Sequence, residues 1–274
     1  METFILKILF AIQGIGAASG LIYNQGALYV ISDNSNYLYQ FQLGTDSLDK
    51  ILLLPGTVQE QVPKKLKADF EAISKKDDTF FVFGSGSSKN RNQLVQYHAK
   101  TGLFQSVPLN RIYKKLQKQF HIDLDNFNIE GALYIQDTLW LFNRGNGPKG
   151  INGIFRLDSK SLRPIDFHPI HLSTLNDMQL GFTDAIWVED RVYFLAAAEG
   201  SNSVYLDGQV QGTIIGRLNP YTMEVEDTLL ISSTHKFEGI TFFQKNASTL
   251  EFLLCEDPDN DAIESQIYHL QVQR

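Results

Sequence analysis

Apolar and polar positions repeat along the chain in the same order five times. Each copy starts with an acidic or polar residue and a small residue, enters an apolar strand, and returns through a turn into a second, aromatic-rich strand. The leading residues, spaced 52 to 59 positions apart, are Ser19, Glu71, Glu130, Asp184 and Glu238. A period of this length predicts an array of supersecondary units, so we expect one domain over residues 1–274 rather than two.

The number of strands in each copy indicates how the array closes. A third apolar strand follows in every copy and a fourth in the first four, but the chain ends after the third strand of the last copy. The apolar segment from Thr3 to Phe10 precedes the first copy and can supply the missing strand. The pattern therefore predicts an all-β fold, a five-bladed β-propeller whose N-terminal strand closes the last blade. The alternative is a β-sandwich, in which the regular spacing and the strand missing from the last copy would be coincidental.

The N-terminal segment has a second interpretation, as a signal peptide. Ala17-Ala18-Ser19 resembles a cleavage site, but Glu2 stands where such peptides are basic and Lys7 interrupts the apolar stretch. We favour the strand, and with it a cytoplasmic location. The single cysteine, Cys255, excludes an intrachain disulfide and agrees with that choice.

Two insertions depart from the repeat. Residues Asn110 to Phe120 place Ile112, Leu116 and Phe120 on one helical face, which predicts an amphipathic helix capped by Asn110. Thr57 to Lys67 is a polar, charged segment, and we expect it to cover one face of the ring before the second blade.

Composition narrows the set of partners. The chain has 31 acidic and 24 basic side chains and a formal net charge of −7. This surplus argues against nucleic-acid binding and against an anionic membrane surface. No apolar run reaches the roughly 18 residues of a membrane-spanning helix. The expected partner is a small anionic ligand, with a phosphorylated compound as the leading candidate; the oligomeric state stays open.

The five leading residues supply the main candidate site. In a propeller the innermost strands surround the axis, so Ser19, Glu71, Glu130, Asp184 and Glu238 should converge at one mouth of the channel. Four converging carboxylates repel one another unless protons or a cation offset their charge. Oxygen ligands of irregular geometry suit Ca²⁺, suit Mg²⁺ less well, and disfavour Zn²⁺. The alternative is that these side chains only accept backbone hydrogen bonds or hold channel waters.

The loops that leave the second strands should reach the same mouth. They contain two basic, glycine-rich segments with Lys89, Arg91, Arg144 and Lys149, which are candidates for anion binding. Three further loops contribute Asp33, Glu199 and Glu256, which are candidates for a general base. Ordinary surface connections of the same composition are the alternative for each loop taken alone.

The ring of leading residues resembles the central calcium site of calcium-activated apyrases, which are five-bladed propellers with one Ser- or Glu-type ligand per blade. The fourth position differs, because Asp184, preceded by Thr183, stands where that pattern has a hydroxyl. The Phe237-Glu238-Gly239-Ile240 segment is similar to phytase-like and esterase-like propellers of bacteria. The chain as a whole resembles an uncharacterised bacterial family of short propellers.

Three functions remain in competition at this point. The resemblance implies a calcium-centred hydrolase of phosphate esters or anhydrides, with the cation polarising the phosphoryl group. The second is a binding module in which the metal is structural. The third is a glycoside hydrolase that uses a pair of mouth carboxylates. Fold alone does not choose between them.

Overall fold

Five antiparallel sheets form a ring in the computed structural model, which describes residues 1, 3–56, 58–146, 150–199, 210–258 and 262–274. The chain begins with β1 (Phe4–Gln13). Blade one contains β2 (Ala18–Asn24), β3 (Ala27–Ser32), β4 (Tyr37–Gln42) and β5 (Ser47–Leu52). Blade two contains β6 (Phe70–Lys76), β7 (Thr79–Gly84), β8 (Gln93–His98) and β9 (Leu103–Pro108). Blade three contains β10 (Ile129–Ile135), β11 (Thr138–Asn143), β12 (Gly153–Asp158) and β13 (Pro164–Pro169).

The last two blades complete the ring. Blade four contains β14 (Thr174–Leu175), β15 (Met178–Val188), β16 (Arg191–Glu199), β17 (Val210–Leu218) and β18 (Val225–Ser232). Blade five contains β19 (Phe237–Lys245), β20 (Thr249–Glu256), β21 (Glu264–Gln273) and the N-terminal strand β1. The inner strands β2, β6, β10, β15 and β19 each contact the inner strands of both neighbouring blades, which confirms the five-bladed β-propeller.

Burial changes from the axis to the rim in a way that explains the sequence pattern. The second strands lie between neighbouring sheets, and in β3 all six residues are buried. Outer strands such as β9 expose most of their side chains. A strand buried on both faces needs a continuous apolar run, whereas a rim strand does not. The aromatic-rich runs of the repeats are therefore the middle of each blade.

The N-terminal strand closes the ring as predicted, but with a change of face partway along it. β1 pairs with β21 from Phe4↔Val272 to Gln13↔Glu264, and the register shifts between Ile8 and Phe10. The extra residue, Leu9, turns the later side chains to the opposite face. Leu6 accordingly packs with the core shared with blade four, and Phe10 packs with the core shared with blade one.

Every inner strand has a β-bulge, at the second residue of β2, β6, β10 and β19 and at the sixth residue of β15. Register shifts fall between Ala18 and Gly20, Phe70 and Ala72, Ile129 and Gly131, Phe182 and Asp184, and Phe237 and Gly239. The unpaired residues are therefore Ser19, Glu71, Glu130, Thr183 and Glu238. The sequence alignment of blade four is wrong by one residue, because Asp184 already pairs with Leu195 and the bulge falls on Thr183.

The residue after each bulge lies where neighbouring inner strands meet. A side chain on Gly239 would place its Cβ 2.9 Å from Cα of Gly20, so β19 requires glycine at this level. Blade four has Asp184 at the same level, and its carboxylate accepts hydrogen bonds from backbone N–H groups. The close approach of Gly239 to Gly20 lies next to the bulge residues Glu238 and Ser19.

The predicted helix is present as α1 (Asn110–Phe120). Its cap differs from the prediction: the N-cap residue is Leu109, no side chain caps the first turn, and Asn110 is the first helical residue. Tyr113 and Leu116 are buried against blades two and three, and the Tyr113 hydroxyl donates a hydrogen bond of 3.0 Å to the carbonyl oxygen of Gly84. Within the described part of the chain, no helix is both long and apolar enough to cross a membrane.

Candidate functional site at the axial mouth

Three glutamates occupy equivalent bulges around the axis. A bulge leaves its residue outside the ladder and directs the side chain away from the sheet. Glu130 and Glu238 are each 5% exposed, and Glu71 is partly exposed. Burial raises the pKa of Glu130 to about 8, with Arg144 opposing the shift and Glu238 adding to it. Burial, followed by repulsion from Asp69 and Glu130, raises the pKa of Glu71 well above its usual range. The three carboxyl groups are therefore close enough to disfavour simultaneous ionisation.

Hydroxyl residues occupy the two remaining bulges. Ser19 Oγ donates a hydrogen bond of 2.5 Å to the carbonyl oxygen of Phe70, and Thr183 Oγ1 donates one of 2.7 Å to that of Phe237. Each hydroxyl thus uses its only proton on the blade that follows. Its oxygen lone pairs remain available to another partner.

Asp69 forms the centre of a cluster of charges in blade two. Its carboxylate pairs with Lys67 Nζ at 2.9 Å and with Arg91 Nη1 at 2.6 Å, and Ser85 Oγ donates a hydrogen bond of 2.5 Å to it. Lys67 also pairs with Asp33. Asp33, Asp69 and Glu71 each offer an oxygen, and these oxygens lie within 4.8 Å of one another. Three carboxylates at this separation match the donor set of a hard cation.

A second cluster of charges joins blades three, four and five. Arg144 Nη2 lies 2.9 Å from Glu199 Oε2, and Arg144 Nη1 lies 3.7 Å from Glu130 Oε1. Lys236 Nζ pairs with Glu199 at 2.6 Å and with Glu238 at 2.7 Å. Burial alone would raise the pKa of Glu199, but Arg144 and Lys236 outweigh it and lower that pKa to about 2. Glu199 is therefore ionised, whereas burial raises the pKa of Glu238, with Lys236 opposing the shift.

The two clusters together do not balance their charges. They hold the carboxylates of Asp33, Asp69, Glu71, Glu130, Glu199 and Glu238 and the cationic groups of Lys67, Arg91, Arg144 and Lys236. With every group ionised, two negative charges remain. Each cluster holds three carboxylates and two cationic groups, so one of these charges remains in each cluster, and Glu71 makes no ion pair with any residue that the structure describes. A divalent cation at the axis would neutralise both charges.

Asp184 lies beneath the bulge residues and is fully occupied by backbone groups. Its Oδ1 accepts a hydrogen bond of 2.7 Å from the N–H of Ala185, and its Oδ2 accepts one of 2.8 Å from the N–H of Ile240. The side chain is 2% exposed, and burial raises its pKa well above the usual range. Asp184 therefore links blade four to blade five, which is the backbone-acceptor role considered for the ring as a whole.

The candidate base residues lie in different environments. Asp33 is in the Asp69 cluster and Glu199 in the second cluster, each held by basic side chains. Glu256 lies at the end of β20, where the Tyr268 hydroxyl donates a hydrogen bond of 2.5 Å to it. Of the three, Asp33 is the one that adjoins Glu71.

The candidate anion-binding residues do not form one open arc. Arg91 and Arg144 are both in the mouth, and both are already paired with carboxylates. Lys89 lines a separate cavity of about 430 Å³ beside the segment from Leu54 to Ala68. Lys149 lies outside the described residues. Any anion in the mouth would have to take Arg91 or Arg144 from an acidic partner.

Sequence reasoning missed three charged residues of the mouth: Lys67, Asp69 and Lys236. Asp69 and Lys236 lie two positions before the bulge glutamates of their blades and directly before the inner strands, so the sequence places them near the mouth, but the direction of their side chains depends on the loop backbone. Lys67 comes from the predicted covering segment, and its direction depends on how that segment folds over the ring.

The fold is shared with proteins of very different sequence. The chain is similar to a luciferin-regenerating enzyme, with a TM-score of 0.54 and 9% identity over 98% of this chain and 95% of that one. It is similar to an exo-1,5-alpha-L-arabinanase from a bovine ruminal metagenomic library, with a TM-score of 0.52 and 10% identity over 97% and 98% of the two chains. It is also similar to the xyloglucan PUL GH43B protein of Bacteroides ovatus, with a TM-score of 0.55 and 10% identity over 97% of this chain and 54% of that one.

Sequence relationships place the chain more narrowly. No curated protein matches it significantly in sequence. A family model described as "Family of unknown function (DUF6929)" matches residues 14–272, which include all four strands of blades one to three and the bulge residues of all five blades. The chain therefore belongs to the DUF6929 family.

Proposed function

We propose that the axial mouth is a divalent-cation site and that the protein hydrolyses a phosphate ester or anhydride there. The observation that carries the proposal is geometric: three glutamates and two hydroxyl residues occupy the same bulge in five successive blades. The carboxyl groups in and beside these bulges outnumber the neighbouring cationic groups by six to four. All these donors are oxygens, which favours Ca²⁺, with Mg²⁺ as the second choice.

The ring would hold the cation through Glu71, Glu130 and Glu238. Ser19 and Thr183 already donate their protons to backbone carbonyls, so their oxygens can only act as acceptors toward the axis. When bound, a cation of this type polarises a phosphoryl oxygen and lowers the pKa of an attached water. Asp33 is our candidate for accepting the proton of that water, because it adjoins Glu71 and is partly open to solvent.

The basic residues give the same site a means of holding an anion. Lys236 is paired with Glu238, and Arg144 lies beside Glu130. A cation held by those carboxylates would compete for the same oxygens and weaken these two pairs. Lys236 and Arg144 would each keep Glu199 as a partner, and their remaining N–H groups could donate to phosphoryl oxygens. We therefore expect cation binding to precede binding of the anion.

The test uses the full chain after treatment with a chelator. Titration calorimetry with Ca²⁺ and with Mg²⁺ measures the number of sites, and phosphate release is followed from inorganic pyrophosphate, nucleoside diphosphates and p-nitrophenyl phosphate. We expect one Ca²⁺ per chain and turnover that disappears with the chelator. Glu71→Gln should lose both, whereas Glu224→Gln, an exposed glutamate outside the mouth, should lose neither. Binding without turnover would support the binding module, and absence of cation binding would overturn the proposal.

A glycoside hydrolase is the second candidate, on one specific contact. Glu130 and Glu199 both contact the guanidinium group of Arg144. Their carboxyl groups therefore lie within about 9 Å of each other, below the upper limit of the roughly 5–9.5 Å typical of catalytic pairs in glycosidases. Hydrolysis of p-nitrophenyl glycosides that survives the chelator and is lost in Glu199→Gln would support this function over the first.

A further inference from the structure

The outer strand of blade five differs from the other four outer strands. Those strands contain charge or proline, which limits pairing with another chain: Asp49 and Lys50 in β5, Pro108 in β9, Pro164, Asp166 and Pro169 in β13, and Glu226 and Asp227 in β18. β1 is ten residues long, contains no proline or acidic residue, and has Lys7 as its one charged side chain. It is the longest of the five outer strands, and Lys7 is its one protecting side chain.

β1 also exposes apolar side chains on both faces of the sheet edge. Phe4 is 37% exposed, Ile5 58%, Ile8 57% and Leu9 42%. Isolated exposed apolar residues are common on protein surfaces, but four within six positions on a sheet edge are a surface suited to a partner.

The backbone of β1 presents its unpaired groups in a regular order. The N–H of Gln273 donates to the carbonyl oxygen of Thr3, so the backbone groups of Thr3 point toward β21. Because this direction alternates along a strand, the groups of Phe4, Leu6 and Ile8 point away from β21. β1 is the terminal strand of its sheet, so within the described chain these groups face no further strand.

We propose that β1 pairs antiparallel with β1 of a second copy of this chain, with the two-fold axis at Leu6. This register places Leu6 opposite Leu6 and Phe4 opposite Ile8, so each hydrogen-bonded pair is apolar. It places Lys7 opposite Ile5, which keeps the two lysines apart. A register centred on Lys7 would oppose like charges, which destabilises a strand pair. The result is a continuous eight-stranded sheet across two copies, an isologous dimer.

The bulge at Leu9 sets the length of this interface. A bulge bends and twists its strand, so pairing past residue 8 would separate the edges. The interface is therefore a short ladder flanked by Phe4, Ile8 and Leu9 from both copies. It lies at the rim and leaves the mouth open, and it is independent of the proposed function.

The test measures mass in solution for the full chain, which has a mass of 31.0 kDa. Sedimentation equilibrium at increasing concentration should give twice that mass. Ile8→Lys should give a monomer with an unchanged circular dichroism spectrum, because Ile8 is exposed. Leu103→Lys is the matched control: Leu103 is 69% exposed on the outer strand of blade two, and its replacement should leave the dimer intact. A monomeric wild-type protein at 100-micromolar concentration, on the order of a weak dimer's dissociation constant, would overturn the proposal.

A cysteine experiment tests the register and does not depend on affinity. Opposite residues of a hydrogen-bonded pair have Cα atoms about 5.5 Å apart, within the range that a disulfide spans. Leu6→Cys should therefore form a cross-linked dimer on mild oxidation. Lys7→Cys should not, because its symmetry mate lies diagonally at about 7–8 Å. Equal cross-linking of both variants, or of neither, would contradict this register.

Discussion

Thr183 makes in blade four the same hydrogen bond that Ser19 makes in blade one. Each hydroxyl donates to the carbonyl oxygen of a phenylalanine, Phe237 or Phe70, that directly precedes the bulge glutamate of the next blade. The shared contact identifies Thr183, and not its neighbour Asp184, as the equivalent of Ser19. Blades one and four are thus the hydroxyl blades of the ring, and blades two, three and five are its carboxylate blades.

The first prediction separates Thr183 from Asp184. Thr183→Val keeps the shape of the side chain and removes its oxygen, so we expect Ca²⁺ affinity to fall by about tenfold, or about 1.4 kcal/mol. Asp184→Asn should leave the affinity within about twofold, since that side chain faces backbone donors. Titration calorimetry measures both. The opposite ranking would mean that Asp184 is the ligand of blade four.

The second prediction concerns the stability that Asp184 provides. Asp184→Ala leaves the buried N–H groups of Ala185 and Ile240 without acceptors, which should cost roughly 2–4 kcal/mol in the free energy of unfolding. Urea denaturation followed by tryptophan fluorescence measures the loss. Asp46→Asn, at an exposed turn, is the control and should change the free energy by less than about 0.5 kcal/mol. A loss equally small in Asp184→Ala would show that the link between blades four and five is dispensable.

The third prediction compares the thermal stability of wild type and Glu71→Gln with and without a bound cation. Glu71→Gln removes one of several repelling carboxylates, so the chelated variant should melt at a higher temperature than chelated wild-type protein. Saturating Ca²⁺ at about 100 times its dissociation constant should stabilise the wild type by about 2.7 kcal/mol and leave Glu71→Gln unchanged. Differential scanning calorimetry with and without Ca²⁺ reports both shifts. A variant less stable than wild type in chelator would argue that Glu71 forms a stabilising contact.

The fourth prediction concerns pH. Arg144 and Lys236 hold the folded-state pKa of Glu199 at about 2, below the 4.5 of an unperturbed glutamate. Its stabilisation is therefore complete above about pH 4.5 and is lost as pH falls toward 2, with an upper limit of about 3 kcal/mol. Glu199→Gln should be less stable than wild type at pH 7, and the difference should shrink steadily below pH 4.5.

The control for this pH effect is an exposed pair. Asp78→Asn removes the partner of Lys100 on the surface, where solvent screens the interaction, so its effect should be small at every pH. If the Glu199→Gln difference were independent of pH between 2.5 and 7, the ion pairs of Glu199 would contribute nothing to folding.

Most of the fold could be predicted by counting repeats, because the same packing requirements recur in each of the five blades. Each inner strand needs small residues near the axis, and each second strand needs an apolar run such as that of β3. The missing strand of the last blade then followed from the number of strands. The one-residue error at Asp184 arose because a bulge adds a residue without changing the apolar pattern around it.

The charge pairs at the mouth are the part of the site that the sequence alone does not predict. By itself the sequence determined the ring of five blades, the closing strand and the convergence of Glu71, Glu130 and Glu238 on the axis, since these follow from periodicity. Only the tertiary structure decided that Lys67 and Lys236 join those acids at the mouth, and that Arg144, whose loop was expected there, is paired with carboxylates. The reason is physical: periodicity fixes which face a strand residue takes, but the partner of a charge depends on loops and blades distant in sequence, whose approach depends on packing.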